Sequence, residues 1–324
     1  MRLNKNFYLN FSSIPKLTMK AKKNKKHIKN FELKKLIKLI KFASSKGFSG
    51  VEFPYFRFFQ DIDSTPYLKN YLKDFNQNYV LDCEKKISKK ELLKLIKISN
   101  KIDVNFIRLK CTSILSCERY KYKKKWNIKL NLIIKKINQI KEFLNKYKIK
   151  LAIENHQDLD SNDLKYIISK VGKEYVGINF DVGNAFATCE YPVDFFNKIK
   201  NHILNIHLKD YIILYNNKGY SLNRCPILDG NSNILKILNL TKKYKLNVPI
   251  SLELGAEKPR IIKIKSKKFF ENFLKEKKIK LKNSNSIMKL GINNFKNLDK
   301  IKKLISLNEI NMLNKSIYNL NQKI

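Results

Sequence analysis

Four short blocks in the second half of the chain carry residues able to bind a divalent metal: Ile153-Glu154-Asn155-His156, Asp181-Val182-Gly183-Asn184, His207-Leu208-Lys209-Asp210 and Leu252-Glu253-Leu254-Gly255. Each follows an apolar run that reads as a strand, over 150–153, 176–180, 203–206 and 249–252, with Glu154, Asp181, His207 or Glu253 at its end. Three carboxylates and one imidazole suit Mn²⁺, Zn²⁺, Co²⁺ or Mg²⁺, and the residue types alone do not choose among them. Taken singly, each residue could equally be a cap or an ion-pair partner at a strand end.

What joins them is a shared register. Side chains of a barrel strand alternate between lumen and surrounding helices. Two residues before each ligand stand Ala152, Asn179, Asn205 and Ser251, all small or polar, as inward positions should be. The residues between them, Leu151 and Ile153, Ile178 and Phe180, Leu204 and Ile206, Ile250 and Leu252, are large and apolar and are expected to face outward helices. One register that works on four successive strands sets all four ligand-type residues at one rim. The C-terminal ends of strands are where barrel enzymes carry their chemistry.

The elements that would hold this register alternate along the chain from about Phe31, the pattern of βα units around a parallel sheet. The spacing predicts strands over 7–12, 50–54, 79–81 and 105–109, besides the four above. It predicts helices over 31–42, 89–99 and 130–146, with Gly47 as a C-terminal cap of the first, and a closing helix over 258–278. Eight strand–helix units make an α/β TIM (β/α)8 barrel over residues 1–278. Residues 279–324 form a short Lys- and Asn-rich C-terminal extension with weak helical periodicity through 298–304. They read as one or two further helices or as loosely ordered chain, and carry no assigned chemistry.

With 324 residues and 43% hydrophobic side chains, the chain can bury a large core. The net charge of +41 invites a nucleic-acid reading. However, Lys, Asn and Ile are inflated together, as AT-rich codons produce, and the lysines spread over nearly every helix instead of one stripe. A solvated basic surface with no specific nucleic-acid partner follows. Five cysteines at irregular spacing, without a C-x-x-C pair, indicate a reducing compartment. No apolar run approaches membrane-spanning length and no signal-peptide core is present, so a cytoplasmic location without membrane attachment is expected.

The blocks Ile-Glu-Asn-His, Asp-Val-Gly-Asn with Ala185 and Ala187 following, and His-Leu-Lys-Asp resemble the signature blocks of the sugar phosphate isomerase/epimerase family, whose fold is a xylose isomerase-like TIM barrel. The resemblance is strongest over 150–254 and continues back to about Phe31. The segment from Arg224 to Gly230 is similar to the family's loop after the His strand, with Leu228 in place of its first glycine.

This resemblance implies Glu154, Asp181, His207 and Glu253 as ligands to one divalent ion. It further implies Glu154 and Glu253 as the pair that moves a proton next to a carbonyl, in a sugar or sugar phosphate substrate. Lys209 shares a strand face with His207 and could steady enediolate charge. Arg224 reads equally as a bidentate clamp on substrate or as a solvated loop arginine. His156 and Asn184 read as substrate-contacting or ligand-supporting groups, or as caps. Arg108, inward with Lys110, would contact substrate or pair with Glu52. A homo-oligomer remains open.

Three other readings compete. A polyol or inosose-type dehydratase on the same scaffold shares the first proton abstraction. An abasic-site endonuclease would need a histidine-rich multi-zinc site, whereas the chain has four His and Asn184 stands where such an enzyme carries another His. A non-catalytic barrel would need a broken ligand set, and this one is intact. His27 and His202 read as surface or helix residues.

Overall fold

The computed structural model describes residues 3, 6–15, 28–55, 65–83, 88–116, 118–122, 125–216, 219–263 and 298–324. Eight parallel strands close on themselves: β1 (Phe7–Asn10), β2 (Gly50–Pro54), β3 (Asn78–Cys83), β4 (Phe106–Leu109), β5 (Lys150–Glu154), β6 (Val176–Asp181), β7 (Ile203–Leu208) and β10 (Ile250–Leu252). β10 pairs with both β7 and β1, which shuts the ring. This is the α/β TIM barrel that the alternating pattern implies.

The helices around it begin and end where local chemistry directs. α1 (Ile28–Ser45) is followed by Gly47 at φ 80°, the left-handed turn expected of that glycine. α2 (Thr65–Asp74) precedes β3. Ser88 and Glu91 form a capping box that starts α3 (Lys89–Lys101). Residues 130–146 do not form one helix. They divide into α4 (Lys125–Asn138) and α5 (Lys141–Tyr147), because Ile140 N bonds to Ile137 O, one residue short of α-helical spacing. Asp160 and Asp163 cap α6 (Ser161–Val171), Pro192 opens α7 (Pro192–Ile199), and α8 (Ile234–Lys243) precedes β10.

The outward strand residues pack on these helices. Ile153, Ile178, Phe180, Ile206 and Leu252 join one core with Ile167, Phe195, Phe196 and Ile237, and Phe180 stacks on Phe195 at 5.4 Å between ring centroids. Leu204 departs from its expected outward position. The β6–β7 register shifts between Ile178 and Asn179, and Leu204 turns in to pack with Tyr8, Val80, Phe106 and Ala152. A bulge re-aims one side chain without disturbing the residues beyond it, so Asn205 and His207 still face the lumen. That apolar cluster fills the lumen below the polar groups.

Two further features lie outside the sequence expectation. β8 (Tyr211–Asn216), β9 (Gly219–Arg224) and β11 (Arg260–Lys263) form a separate antiparallel sheet in the order β11-β9-β8. The start of the expected closing helix is therefore a strand: Arg-Ile-Ile-Lys pairs with β9, its β-branched residues suiting an extended ladder. The remainder of that expected helix lies outside the described residues. In the extension, α9 (Leu298–Ile305) and α10 (Glu309–Lys323) are helical, and Met312, Leu313, Ile317 and Leu320 are buried in the main core.

Candidate metal and active site

Glu154 and Asp181 are the last residues of β5 and β6, His207 is next to last in β7, and Glu253 stands one residue beyond β10. One potential ligand atom from each of the four lies within 4.8 Å of all the others. The structure thus brings together the four residues singled out by register. Glu154, Asp181 and His207 are buried, and the Glu253 side chain is 13% exposed.

Each of these groups has an oriented partner. His207 Nδ1 is 2.6 Å from Glu253 Oε2, while its Nε2 faces Glu52 Oε1 and Oε2 at 2.8 and 2.9 Å. Glu52 is fully buried and is held in turn by Asn205. The nitrogen toward Glu253 is the one aimed at the cluster, and a carboxylate behind the other nitrogen fixes the ring, as metal-binding histidines require. Lys209 Nζ donates to Asp181 Oδ2 at 2.5 Å and lies 3.1 Å from Glu253 Oε1. Asn184 Nδ2 donates to Asp181 at 2.6 Å and to Glu154 at 3.2 Å. Asn155 exchanges two hydrogen bonds with the Asp181 backbone, at 2.9 and 2.7 Å, locking the end of β6 to that of β5.

Arg108 is buried and pairs with Asp82 and Glu154. The pairing partner expected from sequence was Glu52. The barrel instead sets Arg108 opposite Asp82 on the adjacent strand and leaves Glu52 to His207. Glu52, expected beside Arg108, stands behind His207 instead, and Asp82, one residue past the strand predicted over 79–81, was not a sequence candidate; extending that strand's alternation by one residue would have found it.

Burial and partners oppose each other throughout. Burial pushes the Glu154 carboxyl up, but the neighbouring positive charges, Arg108 foremost and Lys110 after it, together outweigh burial, and the group falls to about 2. Glu253 is likewise driven well down by Lys209 and His207 despite its burial. Burial dominates at Asp82, which rises to about 6 even beside Arg108. It also holds His156 at about 3, so that imidazole is neutral, and its Nδ1 has no hydrogen-bond partner among the described residues. His207 is burdened by burial but raised by Glu52 and Glu253 to about 10.

These residues fit a divalent ion. Glu52, Asp82, Glu154, Asp181 and Glu253 are five buried or nearly buried carboxylates, and among the described residues Arg108 and Lys209 are the permanent cations paired with them. A surplus of negative charge surrounds an oxygen-and-imidazole donor set, a combination suited to Mg²⁺, Mn²⁺, Co²⁺ or Zn²⁺.

The other sequence candidates lie at different distances from this cluster. Lys209 and Asn184 touch the ligand carboxylates directly, and His156 follows Glu154 by two residues, just past the end of β5. Arg224 ends β9 and donates to the Leu307 carbonyl at 3.1 Å, with Glu257 3.8 Å away. Asp210 binds the backbone N–H groups of Tyr211, Leu228, Gly230 and Ser232 at 2.9–3.1 Å. Leu228, in the place of the loop's first glycine, adopts the left-handed φ of 75°. His202 sits in a short 3-10 turn away from the cluster; His27 and Cys117 lie outside the described residues. Among the described residues, no disulfide joins Cys83, Cys111, Cys189 and Cys225 to one another.

A closed parallel barrel with an acid-and-histidine cluster at its C-terminal rim has the architecture of a TIM barrel, with the cluster on the face where such barrels carry their functional sites. Residues 40–272 match the family model described as xylose isomerase-like TIM barrel, and the chain belongs to that family. An uncharacterized protein of Escherichia coli K12, YihM, is 27% identical over 96 residues, 30% of this chain; the chain spans 29% of that relative's length. Among solved structures, a D-tagatose 3-epimerase-like protein superposes with TM-score 0.57 at 17% identity, covering 85% of this chain and 100% of that one. A D-psicose 3-epimerase solved in the presence of D-fructose gives TM-score 0.58 at 12% identity, covering 98% and 97%. At such identities the likeness is one of fold. Among the described residues, no helix is long and apolar enough to cross a membrane.

Proposed function

We propose that this protein is a metal-dependent isomerase or epimerase of a sugar or sugar phosphate, moving a proton next to a carbonyl between Glu154 and Glu253. The observation that carries this reading is the convergence of Glu154, Asp181, His207 and Glu253 to within 4.8 Å at the barrel rim. Those four residues would hold one divalent ion, which when bound supplies Lewis acidity at a carbonyl and a neighbouring hydroxyl.

The chain's own groups supply the rest. Arg108 and Lys209 keep Glu154 and Glu253 ionised, so either can accept a proton. One removes the α-proton from one face of the substrate, and the other, after drawing a proton from solvent, returns a proton to the enediolate, giving an epimer or an aldose–ketose swap. Lys209, between Asp181 and Glu253, places a permanent positive charge where an enediolate would form. Neutral His156 and the Asn184 amide stand beside Glu154 and orient substrate hydroxyls. The dehydratase reading shares the first proton abstraction and differs in the fate of the intermediate.

The test is metal analysis followed by a ketose and aldose panel in D₂O, read by NMR at matched metal content. Glu154→Gln and Glu253→Gln are each expected to lower turnover by several orders of magnitude, roughly in line with loss of a positioned general acid or base. The variant that keeps its abstracting base still exchanges the substrate α-proton without forming product. Near wild-type turnover by either variant would exclude two-carboxylate proton transfer, and net loss of water from the substrate would assign the dehydratase.

A further inference from the structure

In the β11-β9-β8 sheet, cross-strand partners share a face. Tyr211 pairs with Arg224, and Ile213, Leu222 and Arg260 form one row. Ile213, Tyr220, Leu222 and Ile262 on that face are buried, whereas Ile261 on the other is exposed. Tyr211, Arg224 and Arg260 therefore all project inward, and inward is the barrel mouth. Tyr220 Oη donates to the Phe186 carbonyl at 2.6 Å, and Arg260 Nη1 donates to Asn184 Oδ1 at 3.1 Å. Asn184 is the residue that holds Glu154 and Asp181.

The cations at this mouth differ in what they already hold. Arg108 and Lys209 each contact two carboxylates, and Arg224 is bound to the Leu307 carbonyl. Arg260 has a single neutral hydrogen-bond acceptor among the described residues, although a guanidinium offers five N–H donors.

Beside it, the Tyr211 hydroxyl is buried, the residue being 1% exposed, and has no hydrogen-bond partner among the described residues. Its ring occupies the space that a Cβ on Gly183 or Gly255 would need, each within 2.8 Å. Two residues without side chains thus admit a tyrosine whose hydroxyl is left unsatisfied at the site, an expensive arrangement unless a ligand completes it.

We propose that Arg260 and Tyr211 form an anion subsite at the rim, which takes a carboxylate or phosphate group of the substrate while its carbonyl end faces Glu154 and Glu253. The proposal deepens the isomerase/epimerase reading and rests on it for the position of the carbonyl. It restricts the substrate class to acidic sugars or sugar phosphates. Arg260 supplies the charge and the planar fork of donors, and Tyr211 adds one directional O–H donor.

The experiment is calorimetric titration of inorganic phosphate and of acetate at constant ionic strength, on protein as purified and after loading with Mn²⁺. Saturable binding is expected for one of the two anions, and the tighter one names the group. Arg260→Met and Tyr211→Phe are each expected to weaken that binding about tenfold or more, the loss of a hydrogen bond to a charged group. Tyr211→Phe keeps the packed ring, and Arg260→Lys retains part of the affinity.

No saturable binding of either anion would overturn the subsite. So would equal affinity in wild type and Arg260→Met, which would place the anion on the metal instead. The titration reads no turnover. Failure of the proton-transfer reading would therefore leave it standing, and loss of the subsite would leave deuterium exchange on neutral sugars readable.

Discussion

Glu52 illustrates how much of the site lies one contact behind the ligands. It is fully buried, touches Nε2 of His207 through both carboxylate oxygens, and leaves Nδ1 facing the cluster. Glu52→Gln keeps the shape but removes the charge that orients and strengthens the imidazole, so metal affinity is expected to fall about 10–100-fold. Competition with a calibrated chelator measures this, with circular dichroism as the check on fold; unchanged affinity would detach Glu52 from the site. Glu52 also shows where inference from residues stopped. Its inward position followed from strand alternation, but Arg108 and His207 were both available partners. Only the ring of strands decides that β3 sets Asp82 beside Arg108, freeing Glu52 for the histidine from across the lumen.

Asp210 ties the end of β7 to the loop before α8 through four backbone N–H groups. A charge-assisted bond is worth about 1.5–3 kcal/mol and neighbouring bonds are not additive, so Asp210→Ala is expected to cost about 3 kcal/mol. Hydrogen exchange at Leu228, Gly230 and Ser232 should accelerate locally; unaltered protection at these amides would show the loop is held otherwise. β3 and the end of α3 are joined by the Tyr79 hydroxyl, which donates to the Ile102 carbonyl. Burial, with Asp103 nearby, raises that phenol from 10.0 to about 12. Its folded value is above its unfolded one, so its contribution is complete below about pH 10 and is lost as pH rises through about 12. Urea midpoints across that range should fall less steeply in Tyr79→Phe than in wild type, and identical slopes would remove the group from alkaline unfolding.

At the scale of the molecule, the extension is fastened to the barrel. Ser316 Oγ accepts from Ile227 N at 3.0 Å, Asn319 Nδ2 donates to the Ile227 carbonyl at 2.9 Å, and Leu313 and Leu320 are fully buried. Leu313→Ala is expected to cost about 2–5 kcal/mol, read as a lowered thermal midpoint of a single cooperative transition. A barrel melting unchanged while α10 frays separately would show that the two fold independently. The extension's helices were legible as a weak period, but their attachment was not, because Ile227 and Ser316 are 89 residues apart. The sequence by itself determined the barrel, the inward register and the four ligand-type residues, since alternation along a strand is a local property that burial imprints on residue type. It left the 211–224 hairpin unread, although Tyr-Ile-Ile-Leu-Tyr and the Asn-Asn-Lys-Gly after it carry strand and turn signals. It also read 258–278 as helix where Arg260–Lys263 is a strand. Tertiary structure alone decided that Arg260 reaches Asn184 and that Tyr211 lies against Gly183 and Gly255. Those contacts join segments far apart in the chain, where no periodicity connects one residue's environment to another's.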